Sequence, residues 1–471
     1  MLAKRLDDRS PRISLLRSYQ DGHAPLPQGG ENVRASWARF QKESRTNWGG
    51  LILEAVTDRI VVKGVTVAGD SQSSVADQAN RIWRNNRMDS VFASWLRDGL
   101  AYGEAYLTCW AGDDGRAIIT AESPECMVVA SDPLQPWRVR AAARFWRDDD
   151  VELDYALVMA GGMFQYFTRP AREGDHPVVA GVAGSPSAFG DNSAEGSSRR
   201  AFRRTVKDDR WEPVGDPVHI DGGDASPLVS VYRNPGGCGE YEPHVDLINR
   251  INNGILDRRV IQAMQAFRQR ALRSKDDSGG LPQKDAEGND IDWARLFEPA
   301  PGALWDLPPG IDIWESAQTD IQPLLAGSLA DIRQLSAVTR TPLPILMPDN
   351  TNTSAAGAIA TETGYIAKCQ SRLTEAKIGA EAILVKALQL EGVQGLDDLT
   401  VRVEFEPVER VSTAEKYQAA SMAVAVQSRR SIQSGLLGWS ADEIRQDALD
   451  QADEALRNAS LLRQPTGGGA I

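Results

Sequence analysis

The 471-residue sequence is poor in the residues that usually build redox and metal chemistry. Its four cysteines (Cys109, Cys126, Cys238, Cys369) lie far apart with no Cys-x-x-Cys pair, which excludes a disulfide scaffold and a zinc ribbon. Reduced thiols in a cytoplasmic setting are the expectation. The four histidines (His23, His176, His219, His244) are dispersed, without a His-Glu-x-x-His pattern, so no metal and no cofactor is expected. No Gly-Lys dipeptide occurs, hence no P-loop; no Gly-x-Ser-x-Gly elbow and no Gly-x-Gly-x-x-Gly loop occur either. Long apolar runs are missing as well: no stretch approaches the roughly 20 apolar residues of a membrane helix. The longest candidate, Tyr155 to Phe167, is broken by Gly161, Gly162 and Gln165. The first twenty residues mix Lys4, Arg5, Asp7, Asp8, Arg9 and Arg12 with scattered leucines, unlike a signal peptide. A soluble chain that does not enter a membrane is expected.

What is present is ordinary globular composition, 42% hydrophobic and 25% charged, over a length that suits several domains. Lys plus Arg number 52 against 65 Asp plus Glu, a net charge of −13. That balance argues against tight non-specific nucleic-acid binding over the whole surface, though not against a local basic strip.

Periodicity divides the chain. Residues 1–110 read as mainly helical, with a helix-then-strand pair at Asn47–Val65 and helical spacing over Asp89–Leu107, interrupted by Gly99 and Gly103, with a period of two over Gly103–Trp110. Residues 110–234 read as β-rich, with strands at Ala117–Thr120, Val139–Trp146, Tyr155–Met159, Met163–Thr168 and Pro227–Tyr232. The Gly/Ser-rich stretch Gly174–Ser198 reads as a long loop without an assigned role. Then Glu242–Ser274 has apolar residues at Val245, Ile248, Ile251, Ile255, Ile261, Met264 and Phe267, which predicts one very long helix. Lys275–Trp314 is broken by prolines and glycines, a second helix spans Asp320–Val338, and Pro348–Ala356 is a polar loop. A third long helix, Gly357–Glu391, carries small or apolar residues at Ile366, Cys369, Leu373, Ala376, Ala380, Ile383, Ala387 and Leu390. Those steps of three and four make a heptad-like seam suited to close helix approach. Leu399–Phe405 alternates as a strand, and Thr413–Leu462 is helical, hinged near Gly435 and Gly438; the Gly-rich end is a frayed tail.

Charged clusters admit functional and plain readings. Asp148-Asp149-Asp150 with Glu152 and Asp154 would suit a divalent cation, but a solvated turn between strands is favoured. Asp285–Asp292 has a calcium-loop flavour with a misplaced glycine and no closing Glu, so a surface hairpin is favoured. Cys109 and Cys238 read as buried small apolar residues rather than nucleophiles. Arg199, Arg200, Arg203, Arg204 and Lys207 read as a solvated arm. From Glu242 to Lys275, seven basic residues face three acidic ones, a net of +4, with Arg258, Arg259, Arg268, Arg270, Arg273 and Lys275 crowding the second half. Part of this is the preference of cations for a helix C-terminus. Asp276–Ile313 has nine acidic and two basic residues, a net of −7. Such charge banding suits a symmetric assembly better than a globular enzyme.

The order of elements resembles the portal (head-to-tail connector) proteins of tailed bacteriophages, especially siphophages of Gram-positive and actinobacterial hosts. Asn47–Val65, Asp98–Tyr106, Val231–Pro235 and Ser354–Ser371, with Glu362 and Lys368, are similar to stretches of that family. The resemblance implies an α+β fold: a wing from residues 1–241, a first stem helix 242–274, a clip 275–315, a second stem helix within 316–340, a tunnel loop 341–356, a spine helix 357–391, a returning wing strand within 392–410 and a helical crown and tail 411–471. It implies a dodecameric ring around a channel for double-stranded DNA, without enzymatic activity. The implied partners are terminase, a head-completion adaptor, and the major capsid and scaffolding proteins; the implied location is the virion's portal vertex, after assembly in the host cytoplasm. Asp349, Asn350, Thr351, Asn352 and Thr353 would line the channel, and Arg258, Arg259, Arg268, Arg270 and Arg273 would face it from the stem. Asp290, Asp292, Trp293 and Arg295 would present the docking face of the clip. Two other classes stay open: a scaffold or adaptor that never meets DNA, and a metal-dependent enzyme with an acidic site at Asp148–Asp154.

Overall fold

A computed structural model describes residues 1–25, 35–69, 74–112, 114–148, 150–170, 210–219, 228–266, 270–274, 283–284, 288, 290–291, 311–315, 320–348, 355–396, 399–409, 413–439 and 441–462. The chain forms two compact units, one of residues 1–24, 47–245 and 335–471, the other of residues 25–46 and 246–334.

The larger unit starts with α1 (Leu2–Gln20). Helix α2 (Ala35–Glu43) belongs to the smaller unit. Asn47 then caps α3 (Trp48–Thr57): its side chain accepts from the Gly50 amide at 2.8 Å and donates to the Gln20 carbonyl at 3.1 Å. Gly49 is required because a Cβ there would sit 2.7 Å from the Tyr19 carbonyl oxygen. Strand β1 (Val62–Ala68), α4 (Ser74–Asn85) and α5 (Met88–Tyr102) follow. Gly103 ends α5 in the left-handed region (φ 90°), which frees β2 (Glu104–Ala111) to begin at the next residue.

Two antiparallel sheets carry the β-rich block. β2 lies between β3 (Ala117–Glu122) and β9 (Val229–Arg233). The other sheet runs in simple order through β4 (Met127–Ser131), β5 (Val139–Asp148), β6 (Leu153–Ala160), β7 (Met163–Pro170) and β8 (Glu212–His219). One face of this sheet buries Met127, Val129, Ala142 and Met159 with Tyr106 and Val229; the other buries Val128, Ala143, Phe145 and Ala156 beside Leu6 of α1. Alternation along each strand is what lets one sheet feed two cores.

In the smaller unit, α6 (Val245–Ala266) and α7 (Gln322–Thr339) run antiparallel along the residues they place there. Arg250 meets Asp331 at 2.9 Å and Gln334 at 2.6 Å, and a Cβ on Gly254 would lie 3.5 Å from Ser328 Oγ. The helix predicted to run to Ser274 is described as far as Ala266. Arg270–Ser274 is instead β10, paired antiparallel with β11 (Ile311–Glu315) from Arg270–Glu315 to Ser274–Ile311. Long-range pairing with an alternating, β-branched partner overrides a helical spacing that had only Met264 and Phe267 to support its last turns.

Returning to the larger unit, the long helix α8 (Ala355–Leu390) matches its predicted span within two residues at either end. Its small-residue seam buries Cys369, Ala376, Ala380, Ile383 and Ala387. Among the described residues, the helix packs on strands β2, β9 and β3, on β12 (Thr400–Phe405) and on the shorter helix α4. A Cβ on Gly379 would stand 2.6 Å from the Trp95 ring, so glycine lets that ring lie against the helix. β12 pairs with β1, and the chain ends in α9 (Thr413–Ala423), a short helical segment at 429–436, and α10 (Ala441–Leu462).

Candidate functional site

The polar loop expected to line a channel is bounded by α7 and α8. At its start, Thr339 is the last residue of α7, Arg340 turns left-handed (φ 50°), and the Thr341 amide bonds back to Ser336 at 3.0 Å. One helical turn at Leu343–Leu346 follows, with Leu346 buried. At its end, α8 is tied by Tyr365, whose hydroxyl donates to the Ala55 carbonyl of α3, and by Arg59, whose guanidinium carbon lies 5.2 Å above the Tyr365 ring. Arg59 also reaches Glu362 at 3.4 Å.

Between these ends sits a buried ionic node. Lys368 Nζ donates to the Thr339 carbonyl at 2.9 Å and lies 3.0 Å from Glu240 Oε2. One turn along α8, Arg372 Nε donates to Glu240 Oε1 at 2.6 Å, and Asn234 Nδ2 donates to the same oxygen at 3.1 Å. Tyr232 OH completes the chain by donating to Asn234 Oδ1 at 3.0 Å. Burial works to raise the Glu240 carboxyl, but Lys368 and Arg372 outweigh it and hold the group below its ordinary value. Every charge in the node therefore has a partner, the condition under which a buried ion pair is tolerated.

Asp349, Asn350, Thr351, Asn352 and Thr353 lie outside the described residues, as do Asp292, Trp293, Arg295, Arg268 and the basic group 199–207. Asp290 is described and exposed: it forms a backbone bridge with Lys284, and the exposed Gly288 takes φ 88°, while residues 285–287, 289 and 292 of the expected surface hairpin lie outside the described residues. Arg258 and Arg259 lie on α6, where Arg259 is engaged by Glu43 of α2. Arg250 is likewise committed to Asp331, so part of the basic charge of this helix is spent inside its own subunit. Arg270 and Arg273 stand on β10, not on a helix.

Within the acidic cluster Asp148–Asp154, the described carboxylates are engaged by neighbouring groups. Asp154 is held by Arg147 at 2.7 Å and Arg169 at 3.0 Å, all three nearly buried. Asp148 accepts from the Asp150 amide at 3.0 Å within the turn. Among the described residues, no group of three His, Cys, Asp or Glu side chains could hold a metal. Burial pushes the Cys109 thiol up to about 12, the opposite of an activated nucleophile. Cys238, expected to be buried, is half-exposed.

The family model described as "Phage portal protein, SPP1 Gp6-like" matches residues 4–458. The chain belongs to that family. No curated protein matches it significantly. Among solved structures, the portal chain is similar to a chain of "Neck of native GTA particle computed with C12 symmetry", at 15% identity over 90% of this chain and 99% of that one, TM-score 0.42. It is similar to a chain of "Virion of native gene transfer agent (GTA) particle", at 14% identity over 91% and 98%, TM-score 0.43. It is also similar to a chain of "Neck of empty GTA particle computed with C6 symmetry", at 16% identity over 91% and 98%, TM-score 0.41.

Sequence reasoning missed Glu240, Arg372 and Thr339 as parts of one site. Lys368 and Asn234 did stand in stretches that resemble the portal family. Their partners lie 128 and 6 residues away in the chain, toward a single carboxylate that no local spacing announces.

Proposed function

We propose that this portal protein assembles as a ring, twelve copies in the particle, at one capsid vertex, and that double-stranded DNA passes through its channel during packaging and ejection. The observation that carries this reading is the family match over residues 4–458. The family is structural, and the ATP that drives packaging is hydrolysed by a separate terminase, in keeping with a sequence without a P-loop. The acidic stretch Asp276–Ile313 is the face on which terminase docks first and a head-completion adaptor later; capsid and scaffolding proteins surround the ring. The subunits are made in the host cytoplasm and end in the virion.

A channel that lets DNA slide must not grip it, because each Lys or Arg that neutralises a phosphate adds salt-dependent affinity. Thr341–Ala356 contains no Lys or Arg and offers Asp349, Asn350, Thr351, Asn352 and Thr353. These residues line the narrowest point with exchangeable polar contacts. The experiment places lysine there. Asn350→Lys/Asn352→Lys rings should assemble as wild type and package DNA more slowly, with the deficit easing as salt rises. Unchanged packaging by assembled variant rings would remove the loop from the channel.

A further inference from the structure

We propose that Lys368 is the residue that positions the start of the tunnel loop, by anchoring the last carbonyl of α7 to the face of α8. This rests on the portal reading of the loop.

The last four carbonyls of a helix have no partner within it. At α7, Thr339 carries one of these carbonyls, and the chain must then turn abruptly, since Arg340 sits in the left-handed region that non-glycine residues rarely adopt. Two devices hold the turn. One is local: Ser336 Oγ donates to the Thr341 carbonyl at 2.7 Å, and the Thr339 and Thr341 hydroxyls meet at 3.1 Å. The other is Lys368, whose ammonium reaches from α8 to the Thr339 carbonyl. A cation at a helix C-terminus is favoured by the dipole as well as by the hydrogen bond.

Lys368 is itself fixed. Its side chain is 4% exposed and its charge is neutralised by Glu240, which Arg372 and Asn234 hold from two further directions. The Glu240 amide bonds the Leu100 carbonyl at 2.8 Å, so the carboxylate is seated on the end of α5. Its neighbour Gly239 packs so closely that a Cβ would fall 2.1 Å from the Ala101 carbonyl oxygen. The loop's first residues are thus held by the Lys368 ammonium on α8 as well as by the contacts within the end of α7. A buried ammonium is costly unless it is paired; here the pairing with Glu240 also fixes where its donor meets the end of α7, which is why the node is assigned a positioning role.

The test is amide hydrogen exchange on assembled full-length rings. The reporters are Thr341, Ile345 and Met347, whose amides bond Ser336, Pro342 and Leu343; the internal standard is the Gly50 amide capped by Asn47. Lys368→Met leaves Glu240 paired with Arg372, so the fold keeps a satisfied carboxylate. It should speed exchange at the three reporters tenfold or more and leave Gly50 unchanged. Glu240→Gln, isosteric but neutral, should give a smaller increase at the same amides. Unchanged reporters in both variants would overturn the proposal, as would an equal increase at Gly50 or rings that fail to form with either variant. If the reporters respond while DNA packaging by the variant rings is normal, the anchor stands and the channel role of the loop falls.

Discussion

Glycine-to-alanine changes at two helical positions should move stability in opposite directions. Gly99 lies in α5, where alanine would ordinarily gain about 1 kcal/mol through helix propensity. Here its Cβ would land 2.2 Å from Tyr232 Cδ1 and 2.8 Å from Cε1. Carbon atoms are at ease near 3.5–4.0 Å, so the ring or the helix would have to give by more than an ångström. Tyr232 has nowhere to go: it is fully buried, its hydroxyl bonds Asn234, and its ring meets Trp95 edge-on with centroids 5.7 Å apart. Overpacking of this kind costs roughly 1–3 kcal/mol, and with the propensity gain of about 1 kcal/mol set against it the net loss reaches about 2 kcal/mol when neither the ring nor the helix can shift. Gly364 in α8 has nothing within 4 Å of its would-be Cβ. Gly364→Ala should therefore stabilise by up to about 1 kcal/mol. Urea unfolding followed by tryptophan fluorescence separates the two. A Gly99→Ala midpoint at or above wild type, with Gly364→Ala raised as expected, would refute the close-approach account of the Gly99–Gly103 segment.

Two further outcomes follow from buried charge. Asp154→Asn removes the carboxylate that Arg147 and Arg169 share, all nearly buried, and should cost about 3–5 kcal/mol in the same urea assay; the metal-site alternative would instead require wild-type stability with loss of magnesium binding by calorimetry. The Asp98 carboxyl is pushed up to about 7 by burial and then by Glu125, against the pull of Ser123, Arg17 and Arg97. Folded Asp98 keeps its proton where unfolded Asp98 loses it, so stability falls as pH rises from about 4 to about 7. Asp98→Asn should raise the melting temperature at pH 8 and change it little at pH 4, and an equal shift at both values would contradict the assignment.

Much of this fold is legible in sequence where one period persists. The α8 helix is readable because its small-residue steps run unbroken for seven intervals, and β5, β6 and β7 because alternation is interrupted only by turn residues. What packs on what is harder. The α8 seam suggests a helical partner, yet small residues admit a close sheet and a tryptophan ring as readily. β4 is too short and apolar to separate from its turn. β8 contains Pro213 and Pro217, which argue against a strand; it is tolerated because β8 is the sheet edge, with every residue exposed. β10 reads as the end of the preceding helix because its partner, Ile311–Glu315, lies some forty residues ahead. The resemblance motifs gain physical reasons: Asn47 caps α3, Gly49 and Gly99 accept close neighbours, Gly103 needs a positive φ, and Asn234 and Lys368 meet at Glu240. The ionic node itself is non-local, with Arg372 and Glu240 separated by 132 residues, so only the folded chain brings it together.

The central claim is that this chain is a subunit of a ring with a DNA-sized channel. Mass photometry of the purified 51.3 kDa chain, paired with electron micrographs viewed down the particle axis, tests it most directly. The account predicts closed rings near about 620 kDa for twelve subunits, each with a central hole wide enough for duplex DNA. Compact dimers without a hole, at concentrations where related rings would close, would contradict it.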